Sequence, residues 1–158
     1  MTSPRSLSRA PLSTVSATVV VTSRLTVQTE GQGFVDLTDE AAAFLRDAQA
    51  KEGALTLFIR HTSASLTIQE NADPAVLADL TTALARLAPD DAGWTHDSEG
   101  PDDMPAHVKT MLTATALQIP VLNGELALGT WQAVYLIEHR ARPHAREIVL
   151  QFTGATYR

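Results

Sequence analysis

The stretch HDSEGPDDMPAH, residues 96 to 107, places an imidazole at each end of a run holding Asp97, Glu99, Asp102 and Asp103. Imidazole nitrogens and carboxylate oxygens hold divalent ions, and the same groups move protons near neutral pH. The chemistry on offer is therefore metal binding or acid–base work. The spacing between His96 and His107 matches no standard zinc pattern, and a solvated acidic loop accounts for the same composition. Asp103 and His107 are four apart, but Pro105 between them reads as the first residue of a helix. That would keep the two off a common helical face.

Other candidates lie at the ends of apolar runs. His61 follows ALTLFIR and opens the hydroxyl cluster TSAS, a placement typical of reactive groups and equally of a half-exposed turn histidine. ENAD, 70–73, leads into a helix. Asp73 reads as its cap, while Asn71 has no such role, and the helix N-terminus beside it favours an anion. In LGTWQ, 128–132, Trp131 serves as core filler or contact residue, and Gln132 must face the opposite side of a strand. EHRARPHARE gathers Arg140, Arg142, His144 and Arg146 around an apparent hairpin loop, able to receive phosphate or merely to solubilise the loop. No Gly-x-Ser-x-Gly, P-loop or Rossmann glycine pattern is present. Nothing orients Ser63 or Ser65 as a nucleophile against His61.

Composition narrows the classes. A net charge of −6 argues against a nucleic-acid binder, which would show a basic face. With 0 cysteines, a metal must be held by nitrogen and oxygen. The apolar runs are too short to span a bilayer, so no membrane partner is expected. Residues 1–14, MTSPRSLSRAPLST, lack the apolar core of a secretory signal and read as a mobile tail. A cytoplasmic location is expected, with residues 15–158 as a single domain.

The elements that must position these groups follow from periodicity. Residues 13–30 are Val- and Thr-rich and read as a long strand, turned by GQG into FVDL. Thr38 or Asp39 caps a helix with Ala41, Phe44, Leu45 and Ala48 on its apolar side, ended by Gly53. ALTLFIR is a strand, and SLTIQE its expected hairpin partner. Asp73 and Pro74 open the helix PAVLADLTTALARL, with Val76, Leu77, Leu80, Leu84 and Leu87 as its buried stripe. Residues 88–104 show no periodicity, Pro105 begins a short helix, and the remainder is strand-like around the turn NGE. The class is α+β, two sheets packed face to face with helices outside.

Taken together, HTSASLTIQENADPAV, HDSEGPDDMPAHVK, IPVLNGELALGTWQAVYLIEHR and the final arginine-plus-strand resemble the YjbQ family over about residues 15–155. The resemblance implies a two-sheet β-sandwich of about seven strands with two main helices, ordered β2-α-β2-α-β3, in a homotrimer. It implies the family's assigned secondary thiamine-phosphate synthase activity, which joins a hydroxymethylpyrimidine diphosphate to a thiazole phosphate and releases pyrophosphate. It also implies a metal site from His61, His96 and His107, with zinc the expected ion and magnesium possible with a small phosphorylated substrate. On this reading Asp103, Asp73 and Gln132 are assigned to catalysis, and Asn71, Trp131, Arg140 and Arg146 to substrate. Asp103 would be a general base or would orient a ligand histidine. Two further readings stand beside it: a metal-dependent hydrolase and a non-catalytic trimeric metal- or ligand-binding protein. An unneeded buried histidine cluster would be costly, which disfavours the last.

Overall fold

The computed structural model describes residues 7–157. Of the expected tail, residues 1–6 lie outside the described residues, and 7–18 are exposed and without regular structure. Eight strands and three helices follow: β1 (Val19–Thr29), β2 (Gly33–Asp36), α1 (Thr38–Asp47), β3 (Ala50–Ile59), β4 (Ala64–Glu70), α2 (Pro74–Leu87), α3 (Asp103–Leu112), β5 (Ala116–Leu122), β6 (Glu125–Leu126), β7 (Gln132–Glu138) and β8 (His144–Thr156). The class is α+β, as expected. The count of about seven strands and two main helices is corrected by the two-residue β6 and by α3.

Two antiparallel sheets carry the chain, one ordered β1-β8-β3-β5-β6 and the other β2-β7-β4. Leu55, Leu57, Ile59, Ile119, Val121, Ile148, Leu150 and Phe152 of the larger sheet share one apolar core with Leu66, Val134 and Leu136 of the smaller. Ala41, Phe44 and Leu45 of α1 join that core. The arrangement is consistent with a sandwich. No helix among the described residues is long and apolar enough to cross a membrane.

Several local expectations change in the tertiary context. SLTIQE is not the hairpin partner of ALTLFIR: β4 pairs with β7 and β3 pairs with β5 and β8, so the chain switches sheets at residues 60–63. The β7–β8 connection also crosses between sheets and is no hairpin. Helix α1 ends before Gly53. Gln49 takes the left-handed conformation at φ 50, and Gly53 sits inside β3. There a Cβ would come within 2.2 Å of the Thr153 carbonyl oxygen, so close backbone approach to β8 requires glycine. The helix is not capped by Thr38 or Asp39; the Asp36 carboxylate accepts from Thr38 N–H at 2.8 Å. The NGE turn does form: Asn123 and Gly124 take φ 51 and 81, the pair of positive values that a two-residue hairpin needs.

The stripe on α2 is not buried. None of the helix's residues is, and Leu87 is 66% exposed. Its N-terminus forms as read, with Asp73 accepting from Ala75 N–H at 2.9 Å and Pro74 in the first turn.

Candidate metal centre

Helix α3 starts at Asp103, two residues before Pro105, so Asp103 and His107 do share a helical face. The proline occupies the first turn, where its missing N–H has no intrahelical partner to lose. His107 Nε2 consequently lies 3.4 Å from Asp103 Oδ2. The aperiodic loop returns His96 to the same oxygen, with Nε2 at 2.8 Å. One ligand atom from each of His96, Asp103 and His107 falls within 4.8 Å of the others. Asp103 is 4% exposed, while His96 and His107 are 45% and 32% exposed, so the cluster is seated at its base and open at its mouth.

Tautomers follow from the partners. Thr62 O can only accept, so His107 Nδ1, 2.9 Å away, carries the hydrogen. The Nε2 lone pair then faces a carboxylate oxygen, an arrangement that calls for a positive charge between them, either a proton or a metal ion. The residues present fit a divalent ion on this ground. They supply two nitrogen donors and one carboxylate, and His107 donates its far N–H to a carbonyl as ligand histidines do.

Asp103 is held by Arg140. The guanidinium NH1 donates to Asp103 Oδ1, Nε donates to Asp102 Oδ2 at 3.1 Å, and NH2 donates to Glu99 O at 2.8 Å. Burial works to raise the Asp102 pKa, but Ala141 N–H and Arg140 outweigh it and hold it below the ordinary value. Burial alone would lower the Arg140 pKa; Asp102, with further pull from Asp103 and Glu99, raises it instead. Two arginine roles are thereby corrected. Arg140 is anchored within the fold, with three of its five N–H groups donated to Asp102, Asp103 and the Glu99 carbonyl. Arg146 is 1% exposed and forks onto Glu138 at 2.7 and 2.6 Å, so it is a buried structural cation out of a substrate's reach.

His61 stands beside the centre without belonging to the three-residue group. Its Nδ1 accepts from Ser63 N–H at 3.0 Å, which leaves the ring's hydrogen on Nε2. Neither nitrogen then offers a free lone pair, so the expected ligand trio of His61, His96 and His107 becomes His96, Asp103 and His107. Burial, then Arg146, lowers the His61 pKa and keeps the ring neutral near pH 7. Behind it, Ser63 Oγ accepts from Arg146 at 3.1 Å, tying His61 to the buried Arg146–Glu138 pair.

Four other expected residues lie elsewhere. Ala64, three residues beyond His61, pairs with Glu138, whereas Glu70 at the far end of β4 pairs with Gln132. Six strand steps separate them by about 20 Å. Asn71, Asp73, Trp131 and Gln132 cluster at that far end, with Asn71 N–H donating to Trp131 O at 3.0 Å. Asp73 is a helix cap, Gln132 accepts from Gly129 N–H at 2.8 Å, and Trp131 is 63% exposed and not core. Within one chain, none of the four reaches the centre. A cleft of about 710 Å³ is also remote from it, lined by Leu45, Arg46, Leu126, Gln132 and Tyr157 among others. Size alone would favour that cleft; the histidine–carboxylate cluster lies instead at His96, beside a recess of about 290 Å³.

Sequence reasoning overlooked the Thr62 carbonyl, Asp102 as anchor of Arg140, and Glu138. A main-chain acceptor has no sequence signal. Glu138 had one: a carboxylate ending an otherwise apolar strand, which in a core demands a cation.

The architecture and the cluster define a small α+β sandwich-type protein with a histidine–carboxylate centre at one end of its smaller sheet. The chain belongs to the YjbQ family: the description "UPF0047 protein YjbQ-like" matches residues 23–155. A UPF0047 protein of Synechocystis is 48% identical over 131 residues, covering 82% of this chain and 89% of that one. YjbQ of Escherichia coli O157:H7 is 41% identical, covering 82% and 95%. A solved structure from Clostridium acetobutylicum, described as an uncharacterised conserved protein of the family, superposes with a TM-score of 0.77 at 32% identity, covering 82% and 98%. These relatives are described as UPF0047 or uncharacterised proteins, and a structural neighbour from Sulfolobus solfataricus as being of unknown function. The expectation of thiamine-phosphate synthesis is therefore corrected: the comparisons bring no thiamine chemistry with the family, and the arginines meant for its phosphates are committed within the fold.

Proposed function

We propose that this chain is a metal-dependent enzyme whose centre is His96, Asp103 and His107, with zinc as its ion. The observation that carries the reading is the His107 tautomer. With Nδ1–H spent on Thr62 O, its Nε2 faces Asp103 Oδ2, a position that a divalent ion, like a proton, would satisfy. A divalent ion bound by these three residues supplies Lewis acidity and keeps positions open at the exposed mouth of the site. The protein's own part is orientation. Arg140 fixes the carboxylate, Thr62 fixes His107, and His61 stands alongside with an Nε2–H available to a ligand oxygen.

The test is elemental analysis of protein purified without chelator, followed by calorimetric titration of zinc into the metal-free form. About one ion per chain is expected, lost in His96→Ala and His107→Ala. Absence of any transition metal from such preparations, with no heat on titration, would overturn the proposal.

Self-association as a homotrimer remains a proposal. The unburied α2 supports it, as does apolar exposure on the larger sheet, where Val20 is 63% and Phe58 46% exposed. Light scattering at micromolar concentration decides it; a monomer mass refutes it.

A further inference from the structure

Lys109 is 5% exposed, on the same helix as Asp103 and His107 but directed away from them. Buried ammonium groups are stable only when paired, because desolvation of a lone charge exceeds what the surroundings return. Among the described residues no carboxylate or hydrogen-bond acceptor lies at its Nζ. The nearby Glu138 carboxylate is already committed. One oxygen takes Arg146 NH2 and Arg140 N–H, and the other takes Arg146 Nε and Thr29. His139 does not compensate the charge either. Burial, and then Lys109 itself, lowers its pKa to about 4, so it is neutral near pH 7.

The ammonium is nevertheless not sealed in. No fully enclosed polar side-chain atom lacks a partner among the described residues, so Nζ keeps some accessible area. Lys109 borders a recess of about 20 Å³ between α2 and the end of β7, lined by Thr81 and Leu84 of the helix and by Ile137, His139 and Glu138, whose carboxylate is neutralised by Arg146. Gln32 also lines the recess. Its amide donates one hydrogen to His139 O at 3.1 Å and keeps a second N–H. Thr81 spends its hydroxyl hydrogen on Leu77 O.

We propose that this recess is an internal halide site, in which a chloride-sized anion is held by the Lys109 ammonium and the spare N–H of Gln32. The size selects the occupant. A space of about 20 Å³ holds a single water or an ion little larger, and a tetrahedral oxyanion does not fit. Water would satisfy hydrogen bonds but leave the buried charge uncompensated. The proposal does not depend on the metal reading.

The experiment measures melting temperature in sodium chloride, sodium bromide and sodium gluconate at equal ionic strength, on the full chain and on Lys109→Met. With halide tenfold above its Kd, the wild type should melt about 3–6 °C higher than in gluconate. In Lys109→Met the difference should vanish. Should that variant not fold, crystals of the wild type grown in bromide supply the second readout, an anomalous peak at Lys109 Nζ. Equal melting in all three salts overturns the proposal, as does an undiminished halide effect in Lys109→Met. A bromide crystal showing no peak there, or showing a carboxylate of a second copy on Nζ, has the same consequence.

Discussion

His139 offers a measurement whose size can be worked out beforehand. It is 2% exposed, bonded through Nε2 to Ser65 Oγ at 2.8 Å, and its pKa falls from 6.5 to about 4, chiefly by burial and secondarily through Lys109. Because the folded-state value is depressed, the unfolded chain takes up a proton near pH 6.5 that the fold refuses until about 4. Protonation therefore favours unfolding within that window. Stability from this group is constant above pH 6.5, declines as pH falls towards 4, and levels off below. A gap of about 2.5 pH units at about 1.36 kcal/mol each amounts to roughly 3 kcal/mol over the window, and roughly 2 kcal/mol by pH 5. Urea unfolding from pH 7.5 to 4.5 should show this decline. His61, also depressed, contributes in the same direction, so the difference between wild type and His139→Gln isolates His139. Glutamine keeps a bond to Ser65 and does not titrate. Parallel stability profiles for the two proteins between pH 7 and 5 would falsify the buried neutral imidazole.

Four shorter predictions accompany it. Arg140→Met frees Asp103 from its anchor and should weaken zinc binding about 10–100-fold by calorimetry, while leaving one site per chain. His61→Ala should retain zinc within a few-fold of wild type; loss as complete as in His107→Ala would restore His61 to the ligand set. Glu138→Gln strands the buried Arg146 guanidinium and should cost about 3–5 kcal/mol in urea unfolding, against near neutrality if the pair is dispensable. Asp73→Ala removes only a helix cap, so it should lower stability by about 0.5–2 kcal/mol with zinc affinity unchanged. A change in zinc affinity would link the far end of β4 to the centre.

The α+β class, most strand positions, the Asn123–Gly124 turn and the Asp73–Pro74 helix start were legible in the sequence, because each depends on neighbours within a few residues. The family was legible too, through motifs spread along most of the chain. That His96, Asp103 and His107 belong together was half legible: the residue types stood out, but the helix start two residues before Pro105 decides that the i,i+4 pair is aligned.

What only the tertiary structure decided is where each charge finds its partner. Arg140 and Arg146 have the same composition signal, yet one anchors Asp102 and Asp103 while the other is sealed against Glu138. Their partners lie across a loop or a strand. Likewise β3 and β4 read as a hairpin and belong to different sheets, while the six steps of β4 set the Asn71 end of that strand about 20 Å from the end that follows His61. Local sequence fixes backbone preference and apolar periodicity, both short-range properties. Glu138 and Arg146, and likewise His96, Asp103 and His107, share a short window of sequence, yet which groups pair, how they face one another and which strands are neighbours is settled only when the two sheets close on a common core.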